Sequence, residues 1–436
     1  MKISKYTFLF EDKEEFFMFN SLSKAFLQID KESYDILLEK QKNKSEISER
    51  DIDKELFEEL KKWLMLCENH KDEFLIFKSQ IIDIRNSDNH VHFTIAPTMN
   101  CCFSCFYCFE KGNHRKTYIT EEVMDSIIKN IESRKNLQSI NITWFGGEPL
   151  LNFKRIKSLT EKILNLDIKY NSDIITNGYL LDKNKLSMFE KLHINSIQLT
   201  IDGMKEEHDK RRPHISGKSS FDKIIENLDV FFSKNRNITM NVRVNIDKNN
   251  ENQFYQLYLF LKGKYPNINV APAFVFIKDE NNKMFADCMN TGLEKLIFNM
   301  NIAKEMDKPF FVYPTQRPKE CIARSALSFV IGANGDIFKC YDNIGSPENR
   351  IGNINTGELN SALYSRWIMG ADPLTNDECI DCKLLPVCGG ACPMLRLENE
   401  RAGKEIYNLC HTMKDIEEKI LTLHLKQKEN LQQNQI

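Results

Sequence analysis

Long apolar runs, an imbalance of charge and a hydrolytic triad are all missing from this chain of 436 residues. No stretch approaches the ~18 consecutive apolar residues of a membrane-spanning helix. The opening Met1-Lys2-Ile3-Ser4-Lys5-Tyr6 lacks the apolar run and small-residue cleavage site of a signal peptide. A soluble cytoplasmic protein with no membrane partner is therefore expected. Its 60 basic and 62 acidic residues leave a net charge of −2, so nothing in the balance points to nucleic acid. The nine histidines are scattered, and no Ser/His/Asp constellation or phosphate-cradling loop stands out. Internal repeats are absent beyond an alternation of strand and helix.

Cysteine, by contrast, is abundant. Thirteen occur, four of them within Cys101 to Cys108 and seven between Cys321 and Cys410, with only Cys67 and Cys288 apart. In a reducing cytosol such clusters read as metal ligands or catalytic thiols rather than disulfides. A hydrophobic content of 42% with 28% charged residues suits a globular protein, and the length suggests two or three domains.

Residues 1–90 read as a separate winged-helix-like module. Short strands are expected over Tyr6–Phe10 and Phe16–Asp30, then helices over Lys31–Lys44 and Glu49–Asn69, where apolar residues recur at helical spacing. From Val91 strand and helix alternate. Strands are expected at Val91–Ala96, Ser139–Phe145, Asp173–Thr176, Ser196–Ile201, Met240–Ile246 and Asn269–Phe276. The helices between them are Thr120–Arg134, Phe153–Leu166, Asp182–Leu192, Phe221–Ser233 and Asn252–Leu261. Six β/α repeats imply an α/β fold built as a partial (β/α)6 barrel over 91–300, with its site at the carboxyl ends of the strands. Residues 301–426 form a cysteine-rich C-terminal domain, with a hairpin turn at Ala333-Asn334-Gly335-Asp336 and a helix over Glu405–Leu425. The polar stretch 427–436 is expected to be a disordered tail.

The chemistry is concentrated in Cys101-Cys102-Phe103-Ser104-Cys105-Phe106-Tyr107-Cys108. The spacing Cys-x3-Cys-x2-Cys puts three thiols in one loop after the first barrel strand. Thiolates hold iron–sulfur cubanes, usually four to a cluster, and three leave one iron open to a small molecule. Cys102 breaks the spacing and is spare. Gly146-Gly147-Glu148-Pro149 ends the second strand, Thr176-Asn177-Gly178 the third and Thr200-Ile201-Asp202-Gly203 the fourth. His208-Asp209-Lys210-Arg211-Arg212 follows.

With these motifs the chain resembles the radical S-adenosylmethionine superfamily over about Val91 to Phe276. The resemblance implies that Cys101, Cys105 and Cys108 hold a [4Fe–4S] cluster. Its fourth iron would chelate S-adenosylmethionine, whose reductive cleavage yields a hydrogen-abstracting 5′-deoxyadenosyl radical. It further implies cofactor contacts from Gly146, Gly147 and Glu148 to the methionine amino group, and from Thr200 in the family's serine position. Arg212 would pair with the methionine carboxylate. Asn177 and Asp202 read equally as ligands or turn residues.

The second cysteine group, Cys321-x13-Gly335-x4-Cys340, Cys379-x2-Cys382-x5-Cys388-x3-Cys392 and Cys410, resembles the SPASM domain, which holds two auxiliary [4Fe–4S] clusters. By that resemblance Cys379, Cys382, Cys388 and Cys410 form one ligand set, and Cys321, Cys340 and Cys392 the other. Val312–Lys319 supplies no fourth cysteine, which leaves an open iron, the favoured reading, or a distant Cys288. Structural zinc is the alternative for Cys379, Cys382, Cys388 and Cys392, making the chain a non-catalytic binding module. No general base is identified. Asp342 is the candidate, but Tyr341 stands immediately after Cys340, where related enzymes can place an acid, so the role is not carried over.

SPASM-bearing enzymes mostly modify peptides or proteins. The segment Glu14–Leu75 is similar to the PqqD-like element that captures a leader peptide by strand addition. The expected function is a maturase that crosslinks a ribosomally made peptide, through a thioether or a carbon–carbon bond, with epimerisation also open. Its partners would be a precursor peptide with a leader and a reductant such as flavodoxin or ferredoxin. An anaerobic sulfatase-maturating enzyme, forming formylglycine, is the competing reading.

Overall fold

Alternating burial along the central strands shows how the sequence selects its sheet. Ser139–Trp144 and Lys169–Thr176 bury every second side chain, so one register satisfies each strand and a slip of one residue would turn its apolar set outward. The structure, a computed structural model, describes residues 1–110, 117–234, 237–274, 288–289, 291–306, 320–410 and 414–433. The chain divides into two compact units. The first contains 1–86, 290–321 and 370–436, and the second contains 87–289 and 322–369.

In the first unit, β1 (Lys2–Ile3) pairs antiparallel with β5 (Leu66–Cys67). Between them, β2 (Thr7–Asp12), β3 (Glu15–Asn20) and β4 (Phe26–Ile29) form an antiparallel sheet in the order β2-β3-β4. Leu9, Met18 and Ile29 face Tyr34 and Leu37 of helix Lys31–Lys42 and Leu60 of helix Lys54–Lys62. The opposite face is apolar too. Phe8, Phe10, Phe17, Phe19 and Phe26 pack against Leu421 and Leu425.

Two sequence expectations change here. The second helix is shorter than Glu49–Asn69, and a further helix, His70–Asn86, follows. The C-terminal helix begins at Glu417 rather than Glu405: Gly403, at φ +63, ends the helix Pro393–Ala402, and Ile406 N and Tyr407 N then donate to Asn399 Oδ1 at 3.0 and 2.9 Å instead of entering a new helix. It then runs to Gln433, through the stretch expected to be disordered from 427. Leu421 and Leu425 anchor it on the phenylalanine face, and adding residues to a helix already nucleated costs little. Residues 434–436, and Val312–Lys319 ahead of Cys321, lie outside the described residues.

The second unit is organised by a ten-stranded sheet. Six strands lie parallel in chain order: β6 (His90–Ile95), β7 (Ser139–Trp144), β8 (Lys169–Thr176), β9 (Ile194–Thr200), β10 (Thr239–Ile246) and β11 (Asn269–Phe274). This is the partial barrel. Three of its helices start on polar caps, with Thr120 accepting from Val123 N, Asp182 from Lys185 N and Ser219 from Asp222 N. Beyond β6 the sheet continues into β12 (Ser328–Ile331), parallel to β6, and then antiparallel through β13 (Asp336–Phe338), β14 (Gly352–Asn353) and β15 (Glu358–Leu359). The expected turn joins β12 to β13, with Gly335 at φ +86. Residues 322–369 therefore extend the barrel sheet, and Val330, Phe338 and Ile344 share a core with Ala96, Met99 and Phe145.

Candidate active site

The loop after β6 carries Cys101, Cys105 and Cys108, and backbone bonds pin it on two sides. Ile215 N donates to Cys102 O at 3.0 Å and Ser104 N to Pro213 O at 3.0 Å, which ties the loop to the segment after Arg212. On the other side, Glu148 N donates to Asn100 O at 2.8 Å. Here glycine is obligatory. A Cβ on Gly147 would lie 2.3 Å from Asn100 O, and one on Gly146, at φ +106, would lie 2.5 Å from Thr98 O.

Glu148 is fully buried, and its carboxylate joins two strand ends. Thr176 Oγ1 donates to it at 2.7 Å, Asn177 N at 2.8 Å and Leu150 N at 3.0 Å. Burial raises its pKa, and these donors oppose the shift. Asn177 in turn donates its side-chain amide to Cys102 Sγ at 3.3 Å and lies 3.8 Å from Cys101 Sγ. Cys101 and Cys102 share a hydrogen bond that raises the first thiol and lowers the second.

Asp202, also fully buried, is a knot of a different kind. Its carboxylate accepts from the Tyr107 hydroxyl and, at 3.1 Å, from Asn245 N, while its own N–H donates to His208 Nδ1 at 3.2 Å. Thr200, at the end of β9, is buried beside it. Arg212 donates to the Tyr107 hydroxyl at 2.6 Å and holds Nε buried without a hydrogen-bond partner. Burial alone would lower the Arg212 pKa, but the charges of Cys105, Tyr107 and Asp202 keep it well above the ordinary value. Arg211 takes the neighbouring role, pairing with Asp247 at 2.9 Å and Asp202 at 3.7 Å.

The three loop thiols lie within electrostatic reach of one another, and burial raises both Cys105 and Cys108, the latter to about 12. Three half-buried thiols in one loop, with Arg212 acting on Cys105, suit a polycationic, soft-metal guest that compensates their charge. A guest carboxylate also has a donor to meet in the unpartnered Arg212 Nε. The donor set therefore fits an iron–sulfur cluster with an anionic ligand beside it. Tyr107 was missed in the sequence. Its signal was its place inside the cysteine loop, immediately before Cys108.

Asp342, exposed on a turn after β13, lies within electrostatic reach of Glu110. Burial first, and then the Asp342 charge, push the Glu110 carboxyl up to about 8. The ring of Tyr341 packs against Phe145 with centroids 5.4 Å apart.

In the first unit Cys379, Cys388 and Cys410 all act electrostatically on Cys382, so the structure brings those four together. Leu384 N donates to Cys382 Sγ at 3.4 Å. Cys321 and Cys392 belong to this unit and Cys340 to the second. Cys288, fully buried, belongs to the second as well. Among the described residues no three His, Cys, Asp or Glu side chains converge as a single metal ion requires.

Residues 95–261 match the family described as the Radical SAM superfamily. The chain is 24% identical to a serine-type anaerobic sulfatase-maturating enzyme of Bacteroides thetaiotaomicron, over 71% of this chain and 84% of that one. It is also 24% identical to the radical SAM cyclopropyl synthase TigE of Paramaledivibacter caminithermalis, over 88% and 87%. The crystal structure of Streptococcus suis SuiB bound to precursor peptide SuiA is similar with a TM-score of 0.52 and 16% identity, covering 94% of this chain and 99% of that one.

Proposed function

Starting from a chain that carries a radical S-adenosylmethionine domain and is an enzyme of that superfamily, we propose that it is a maturase for a ribosomally made peptide. The carrying observation is the extent of likeness. Similarity to the sulfatase-maturating enzyme covers 71% of the chain, whereas that to TigE covers 88% and that to SuiB 94%. Likeness over 94% must take in most of residues 1–90, whereas likeness over 71% leaves room for that whole segment to fall outside it. There, among the described residues, β4 pairs on one side only, with β3, and such an edge suits strand addition by a leader peptide. We assign 1–90 to leader recognition, 91–300 to the radical domain and 301–426 to a SPASM-type region.

In this reading Cys101, Cys105 and Cys108 hold the catalytic [4Fe–4S] cluster. Cys379, Cys382, Cys388 and Cys410 hold one auxiliary cluster, and Cys321, Cys340 and Cys392 hold the other. Bound there, the catalytic cluster with S-adenosylmethionine would supply one-electron chemistry for hydrogen abstraction from the peptide. The protein's own groups bind and orient. Arg212 offers its free Nε to the methionine carboxylate, and Tyr107 fixes the guanidinium plane. Gly146 and Gly147 allow the second strand end to lie against the cysteine loop, and Glu148 locks that end to the third. Asp202 ties the fourth strand to the fifth through Asn245. The peptide loses two hydrogens in forming a crosslink, one as an atom and one as a proton, with the remaining electron leaving it. A flavodoxin or ferredoxin is the proposed reductant, and the cytoplasm the proposed location. Among the described residues no helix is long and apolar enough to cross a membrane.

The test is incubation of the reconstituted enzyme, under argon with reductant and S-adenosylmethionine, with the short peptide encoded beside its gene. Mass spectrometry should show the loss of two hydrogens together with 5′-deoxyadenosine. Conversion of a sulfatase-derived cysteine or serine peptide to formylglycine, with the neighbouring peptide untouched, would overturn the assignment in favour of sulfatase maturation.

A further inference from the structure

Arg396 sits one turn into the helix Pro393–Ala402, its N–H bonded to Cys392 O at 3.2 Å. Its guanidinium spans two parts of the cysteine-rich segment. Nη2 donates to Cys379 Sγ at 2.9 Å, and Nε donates to Gly390 O at 2.5 Å. Local sequence makes this possible. Gly389, Gly390 and Ala391 take φ values of 64, 74 and 67, turning the chain sharply between Cys388 and Cys392. A Cβ on Gly390 would lie 2.0 Å from Pro373 Cβ, so the close approach requires glycine. The turn leaves the Gly390 carbonyl free to hold one prong of the fork while the other reaches the thiol.

We propose that Arg396 sets the reduction potential of the cluster held by Cys379, Cys382, Cys388 and Cys410. The inference rests on the reading of these four cysteines as cluster ligands. A cationic donor on a ligand sulfur draws electron density from it and favours the state with one more electron, which raises the potential. The neutral Leu384 N–H on Cys382 acts in the same sense but without a full charge. Lys414 also bears favourably on Cys410, and Glu378 opposes it. Arg396 alone among these places a charged donor at hydrogen-bond distance from a ligand sulfur. Crosslinking leaves one electron to be removed from the peptide radical. A cluster held there could take up that electron while the peptide releases its proton to solvent, and a raised potential would favour its doing so.

The experiment compares full-length parent, Arg396→Gln and Cys379→Ala proteins reconstituted under argon, with iron and sulfide measured for each. Potentiometric titration is followed by electron paramagnetic resonance. Arg396→Gln should keep its iron and show one potential shifted negative, with the others unmoved. Unchanged potentials in an iron-replete Arg396→Gln overturn the inference alone, provided that Cys379→Ala has lost one cluster's iron. Full iron in Cys379→Ala overturns the ligand reading, and the inference with it. Should Arg396→Gln lose the cluster, parent protein labelled with 15N-arginine decides the matter. Electron–nuclear double resonance should then find a 15N coupling on a reduced cluster, and its absence refutes the proposal.

Discussion

Arg212 and Tyr107, 105 residues apart in the chain, meet in a single hydrogen bond of 2.6 Å from Nη1 to the phenolic oxygen. The same hydroxyl donates to Asp202 and accepts from Asn245 Nδ2 at 3.1 Å. One oxygen thus joins the cysteine loop to the ends of the fourth and fifth barrel strands.

Removing that oxygen in Tyr107→Phe leaves a buried guanidinium and a buried carboxylate each short of a partner. Such losses cost about 1–3 kcal/mol. S-adenosylmethionine should bind about tenfold more weakly, the equivalent of ~1.4 kcal/mol, while iron content stays at the parental level. Isothermal titration of the reconstituted proteins, with iron assays beside it, checks both.

The glycine pair predicts a different failure. In Gly147→Ala the new methyl group would stand 2.3 Å from the Asn100 carbonyl, immediately before Cys101. The cysteine loop must shift as a whole, because backbone rather than a flexible side chain is in the way. Iron should fall by about one cluster's worth out of three, and 5′-deoxyadenosine formation should disappear. A variant with full iron and parental cleavage would contradict the role given to this approach.

His208 makes stability depend on pH. Burial first, then the Arg212 charge, depress its pKa to about 3, and Nδ1 accepts the Asp202 N–H. The native state keeps the ring neutral, whereas the unfolded chain takes up a proton near the ordinary value of about 6.5. Stability from this group is therefore complete above that value and declines as pH falls from there toward 3. Between pH 7.5 and 5.5 the loss should reach about 1.4 kcal/mol. Urea unfolding at the two pH values should show it, and His208→Asn should flatten the difference.

In the first unit, Arg85 donates to Glu320 at 3.0 Å and to Asp372 at 2.9 Å, and all three side chains are less than a tenth exposed. Arg85→Ala strands two buried carboxylates, a change that typically costs about 3–5 kcal/mol. Glu320 also accepts the Cys321 N–H at 3.2 Å, so auxiliary iron should fall alongside the unfolding midpoint. Parental stability with parental iron would show that the triad supports neither.

Much of the site was legible because its chemistry is local. Cys101, Cys105 and Cys108 occupy one loop, and strands such as Lys169–Thr176 declare themselves by burying alternate residues. The partners of those residues were not legible. Tyr107 reads as one more aromatic until Arg212, Asp202 and Asn245 converge on it. Arg396 reads as a helix-surface cation until a run of left-handed residues sets a carbonyl against it. The C-terminal stretch after 427 looked too polar to order, because composition does not reveal a phenylalanine face elsewhere in the chain waiting for Leu421 and Leu425.

The sequence by itself determined the kind of chemistry, since ligand type and short-range spacing are covalent facts that folding cannot alter. It also determined the β/α repeat, because burial alternates with a period set by backbone geometry. Only the tertiary structure decided which charges face which thiols, how residues 322–369 extend the barrel sheet, and which strand ends Glu148 and Asp202 tie together. Those pairings join residues tens to hundreds of positions apart, and their energies exist only once chain folding has paid the entropy of bringing them together.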